Sequence, residues 1–109
     1  MPKIYLSPST QDQNPYVDGS GSEEYWMNLL ADALEPYLYA NTIAFVRNSP
    51  EMTAASSIAQ ANQLGGFDFY LALHSNASGE GQAGKNRGII VFYYPTSSDG
   101  KRAAELFAA

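Results

Sequence analysis

Gly65-Gly66-Phe67-Asp68-Phe69-Tyr70-Leu71-Ala72-Leu73-His74-Ser75-Asn76-Ala77 contains a helix stop, a short apolar run and an abrupt return to polar residues. A glycine pair ends a helix because it tolerates the left-handed backbone there. The run after it is too short for a buried helix and is rich in aromatic residues, so residues 67–73 read as a buried strand. Outward from this strand the chain alternates. Residues 3–6 and 43–46 read as two earlier buried strands, and residues 88–94 as a fourth. Between the first two, Trp26, Leu29, Leu30, Ala33, Leu34, Tyr37 and Leu38 recur at helical spacing. Ser20 precedes Glu23 at the spacing of a capping box, and Pro36 should kink or shorten the end of that helix. A second helix is expected to start with Ser49 as N-cap and Pro50 at its first position. It places Met52, Ala55, Ile58, Ala59 and Asn62 on one face and stops at Gly65-Gly66. A third helix follows the turn at residues 95–100.

The order βαβαββα predicts an α/β fold: one open, largely parallel central sheet with helices on both faces. In such sheets ligands sit beyond the carboxyl ends of the strands. Three polar segments follow strand ends, beginning at Ser7, Arg47 and His74. The first and third should be neighbours if strands one and three are adjacent. The segments 7–22 and 78–87 are long and polar, and long loops in small domains are commonly functional.

Composition narrows the chemistry. The 109 residues make one domain, and they contain no cysteine and one histidine. Disulfides, thiolate metal sites and multi-histidine sites are thereby excluded. Eleven acidic residues against six basic ones give a net charge of -5, which argues against nucleic acid as a partner. No apolar run approaches a membrane span, and no apolar leader follows Met1, so neither a membrane partner nor a signal peptide is expected. A monomer is expected.

His74 stands where the third strand stops. Its bland reading is a half-buried ring satisfied by a backbone carbonyl; its position at a strand's carboxyl end favours a ligand crevice. Glu23 and Glu24 open the first helix, where acidic residues suit the dipole. Glu23 fits the cap. Glu24 lies about 100° further round the helix, free to face the crevice, and with His74 it offers zinc a carboxylate and an imidazole. Asp12, Gln11 and Gln13 are candidate oxygen donors in the first loop. A serine nucleophile, Ser9 or Ser75 with His74 as base, is the alternative, but no Gly-x-Ser-x-Gly elbow is present.

Several stretches together resemble a family. They are Lys3-Ile4-Tyr5-Leu6-Ser7-Pro8, Ser22-Glu23-Glu24-Tyr25-Trp26-Met27-Asn28-Leu29, Val46-Arg47, Ala61-Asn62, Asp68, Leu73-His74-Ser75-Asn76-Ala77 and Arg87-Gly88-Ile89-Ile90-Val91-Phe92-Tyr93-Tyr94. In this order they resemble the zinc-dependent N-acetylmuramoyl-L-alanine amidases of the type-3 group, bacterial and phage cell-wall hydrolases. The resemblance implies that group's phosphorylase/hydrolase-like fold. It implies cleavage of the amide between N-acetylmuramic acid and the L-Ala of the stem peptide, with peptidoglycan as partner. It implies one Zn2+, with Glu24 and His74 as ligands. The family's first histidine falls on Thr10, so Gln11, then Asp12, is expected to supply a substitute oxygen. Ser75, Asn76 and Arg87 are expected to meet substrate. The family's general-base glutamate is expected beyond Ala109, which would make this chain the N-terminal portion of the domain. The implied location is the cell wall after release, or the cytoplasm before lysis. The competing expectations are a non-catalytic relative that binds muropeptide, and another zinc hydrolase such as a carboxypeptidase acting on stem peptides.

Overall fold

A computed structural model describes residues 2–11, 19–75, 90–93 and 95–108. Residues 1–75 and 76–109 form two compact units. The first holds β1 (Lys3–Pro8), α1 (Glu23–Ala40), β2 (Ala44–Arg47), α2 (Ala54–Leu64) and β3 (Phe69–Leu73); the second holds α3 (Ser98–Ala108). The three strands form one parallel sheet in the order β2-β1-β3. The α/β reading with a parallel sheet holds at this level, and β1 and β3 are neighbours, the condition under which their polar ends lie together. Among the described residues no helix is long and apolar enough to cross a membrane.

Alternation along β1 assigns its two faces different partners, because successive side chains point to opposite sides of a strand. Ile4 and Leu6 join Phe45, Leu71 and Leu73 against Ala31, Leu34 and Leu38 of α1, which forms the apolar core. Tyr5 and Ser7 belong to the other face, where α2 supplies polar partners. The Tyr5 hydroxyl donates to Gln60 at 2.5 Å, and the Tyr70 hydroxyl donates to Ser7 at 2.9 Å. Tyr5 stacks on Tyr70, with centroids 5.2 Å apart, and meets Phe67 edge-on. Burial, together with the neighbouring Tyr70, pushes the Tyr5 phenol above its ordinary pKa. Asn48, just past β2, is the hub of this face. Its side-chain amide donates to Ser7 Oγ, the Pro8 carbonyl and Ser57 Oγ at 3.0–3.3 Å. Among the described residues no buried side-chain polar atom lacks a partner.

Several expected details are corrected. The cap of α1 is Ser22, whose hydroxyl accepts from the Tyr25 amide at 3.2 Å, so the Ser20–Glu23 capping box does not form. Ser20 instead offers its carbonyl to the Trp26 indole at 3.0 Å. Gly21 makes this entry possible. Its φ is +133°, and a β-carbon there would lie 3.0 Å from the Tyr25 ring. Helix α1 runs past Pro36 to Ala40. Leu34 and Leu38 face the core as expected, but Trp26, Leu29, Leu30 and Tyr37 are exposed; the helix carries two apolar stripes, and Ala31 lies on the one that the sheet selects.

Helix α2 begins after Thr53, not Ser49. The Thr53 hydroxyl accepts from the Ser56 amide and the Ser56 hydroxyl accepts from the Thr53 amide, a complete capping box. Ser49, Pro50 and Glu51 form a turn ahead of it, with the Met52 amide donating to the Ser49 carbonyl. The buried residue of α2 is Ser57, while Ile58, Ala55, Ala59 and Asn62 face outward. Hydrogen bonds to Asn48 and Tyr5 set this rotation, so apolar periodicity misjudged it. The Gly65 stop holds, with φ +66° and its amide on the Ala61 carbonyl.

In the second unit α3 forms where expected, and Ser97 Oγ accepts from the Gly100 amide at its start. Residues 90–93 are not in a strand, and Ile90 and Phe92 are exposed. An apolar run marks surface that favours burial but does not supply a pairing edge. The remaining positions of the expected fourth strand lie outside the described residues.

Replacing Asn48 by Ala removes three bonds from a buried cluster and should cost about 1–3 kcal/mol. Thr53→Ala removes one cap and should cost about 1 kcal/mol. Urea unfolding of the two variants should rank them in that order; equal midpoints would show that Asn48 is not the hub.

Candidate functional site

The site lies at the carboxyl edge of β1 and β3. Parallel pairing brings Pro8 level with Leu73, and the Ser9 amide extends the ladder by donating to the Leu73 carbonyl at 2.9 Å. Residues 9–11 and residue 74 therefore leave the sheet side by side. Ser9 is almost fully buried, and its hydroxyl accepts from the Gln11 amide at 3.2 Å. This turn holds Gln11, half-buried, next to the strand end.

Helix α1 delivers the carboxylate. Ser22 already caps the helix, which leaves Glu23 unneeded there. Its side chain, 7% exposed, reaches His74, with Oε2 3.0 Å from Nδ1. The imidazole is 45% exposed. The residue that meets His74 is thus Glu23, whose spacing from Ser20 suggests a capping role. Glu24, expected as the ligand, is half-buried in the same turn. Its carbonyl accepts from the Asn28 side-chain amide at 2.7 Å.

Asn28 also links the helix to the first loop. Its amide donates to the Ser9 carbonyl at 3.3 Å. Its own orientation is fixed by Arg47 at the end of β2, whose Nη2 donates to the Asn28 carbonyl and Oδ1, both at 3.0 Å. The other terminal nitrogen, Nη1, donates to Asp32 and Glu35 at 2.6 Å. Burial lowers the Arg47 pKa, and the bonds to Asp32 and Glu35 outweigh that and raise it. The guanidinium therefore stays charged and ties β2, α1 and the β1 exit together. In the sequence Arg47 opens a polar strand-end segment and belongs to a matching motif, but carries no structural role there; an arginine at a strand end facing a helix with Asp32 and Glu35 one turn apart is the available signal for that role.

Of the other expected residues, Asp12, Gln13, Asn76 and Arg87 lie outside the described residues. Ser75 directly follows His74. The Ser9 hydroxyl is engaged by the Gln11 amide, and among the described residues it makes no hydrogen bond to His74, so the geometry gives no support to a Ser9–His74 nucleophile pair. Among the described residues no cluster of three His, Cys, Asp or Glu side chains forms. The site has one imidazole, one buried carboxylate against it, a second carboxylate-bearing residue in the same helical turn, and one amide side chain on the adjoining loop. No family model, curated protein or solved structure matches the chain.

The Arg47 network predicts an asymmetry. Asp32→Ala removes an exposed ion pair and should cost less than about 1 kcal/mol. Arg47→Ala leaves Asn28 and Glu35 without their cation and should cost about 1.5–3 kcal/mol. Thermal unfolding in low salt measures both, and equal costs would reduce Arg47 to a surface charge.

Proposed function

We propose that the chain is an amidase-type peptidoglycan hydrolase domain, acting on the amide between N-acetylmuramic acid and L-Ala with one zinc ion. The observation that carries this reading is the carboxylate–imidazole contact between Glu23 and His74 at the carboxyl edge of a parallel sheet. It is supported by the ordered resemblance of Lys3–Pro8, Ser22-Glu23-Glu24-Tyr25-Trp26-Met27-Asn28 and Leu73-His74-Ser75-Asn76-Ala77 to that family.

The donor set fits zinc in kind: an imidazole nitrogen lies against one carboxylate, and the next residue of α1 carries a second. His74, Glu24 and the side-chain oxygen of Gln11 are the residues that would hold it. When bound, zinc supplies a Lewis acid and a water of lowered pKa. The chain's own residues do the rest. Ser9, anchored through its amide and hydroxyl, fixes the loop that carries Gln11. Asn28, clamped by Arg47, holds that loop against the first turn of α1. Ser75, directly after His74, would meet a muropeptide bound at this edge.

A second reading, a domain that binds muropeptide without cutting it, is favoured by Thr10, which stands where the resembled family has its first histidine.

Calorimetry should find one zinc per chain, and His74→Ala should abolish that binding while leaving the fold intact by circular dichroism. With zinc present, release of the L-Ala amine from muropeptides supports the hydrolase. Binding of muropeptide without release transfers the case to the second reading, and the absence of both zinc and muropeptide binding refutes the proposal.

A further inference from the structure

We infer that Glu23 is a positioning residue for His74: it holds the Nδ1 proton and so leaves the Nε2 lone pair facing outward as the working atom of the ring. A carboxylate buried to this degree is stable only where a donor meets it, and among the described residues the group that meets it is the imidazole, 3.0 Å from Oε2. An ionised carboxylate only accepts, so Nδ1 must carry the hydrogen. In the neutral ring the other nitrogen is then the acceptor. A free histidine side chain favours the opposite tautomer, with the hydrogen on Nε2; the preference must therefore be imposed, and Glu23 is placed to impose it. Its location suits the task. It is the first residue of α1, where the helix dipole favours a negative charge, and Ser22 already serves the Tyr25 amide, so the carboxylate is not drawn back to cap the helix. The ring itself is nearly half exposed, which leaves its second nitrogen open to a ligand. Two adjacent glutamates thus divide the work: Glu23 orients, and Glu24 remains for the metal. This division rests on the zinc reading above, whereas the tautomer preference does not.

Because the chain has a single histidine, 15N–1H multiple-bond NMR reads this ring without assignment. The experiment uses the intact chain, metal-free, at a pH where imidazole is neutral. Wild type should show a pyrrole-type Nδ1 and a pyridine-type Nε2. Glu23→Ala should move the population toward the Nε2–H form. Glu23→Gln, nearly isosteric, should move it the same way and serves if the alanine variant lacks a dispersed amide spectrum. Glu24→Ala should leave it unchanged. A wild type dominated by Nε2–H, or a Glu23→Gln ring identical to wild type, overturns the inference. Zinc calorimetry then separates this inference from the zinc reading. A loss of about 10–100-fold in zinc affinity in Glu23→Gln supports a positioning role. Complete loss would make Glu23 a ligand and overturn that role. A wild type with the expected tautomer but no zinc binding refutes the zinc reading and leaves the tautomer inference standing.

Discussion

Strand β1 is hydrogen-bonded along both edges and covered on both faces, and this double burial constrains the rest of the first unit. A parallel strand in that position cannot be half polar in the ordinary way, because neither face meets water. The chain solves this with two unlike layers. Ile4 and Leu6 enter an apolar layer under α1, whereas Tyr5 and Ser7 enter a layer of hydroxyls and amides under α2. A slip of one residue would exchange the layers and place Tyr5 among Ala31 and Leu38. Register is therefore fixed by chemistry on both sides. The same register sets Ser9 beside Leu73 and so brings the Gln11 loop and His74 to one edge.

The coarse architecture was legible because it depends on signals local to each segment. Short apolar runs, a glycine stop at Gly65 and the alternation of strands with helical periods sufficed for a parallel α/β sheet. The strand order was not legible; once β1 and β3 pair, their polar ends come to one edge. Rotation of the helices was not legible. Helix α1 offers two apolar stripes, and only the sheet chooses between the one with Ala31 and the one with Leu29 and Leu30. Helix α2 turns Ser57 inward for the sake of Asn48, a residue whose importance is invisible to hydrophobic counting. The candidate site was legible by region and by residue type, but not to the residue. His74 and an acidic residue of the first helical turn are brought together; the acid is Glu23. Moving the cap from Ser20 to Ser22 changed which of two adjacent glutamates was free, and cap choice turned on the Gly21 backbone, which composition does not reveal.

The entry of α1 has an optical consequence. Trp26 is the only tryptophan in the chain, about one helical turn from Glu23, with its indole hydrogen-bonded to the Ser20 carbonyl and its ring edge-on to Tyr25. At 38% exposure it is neither quenched in a core nor free in water. Indole emission depends on the polarity around the ring and on that hydrogen bond. Any event that loosens the turn at Ser20–Gly21, or excludes water from the start of α1, changes the colour of the protein's own fluorescence. The helix start that supplies the carboxylate thus also carries an intrinsic, label-free reporter of its surroundings.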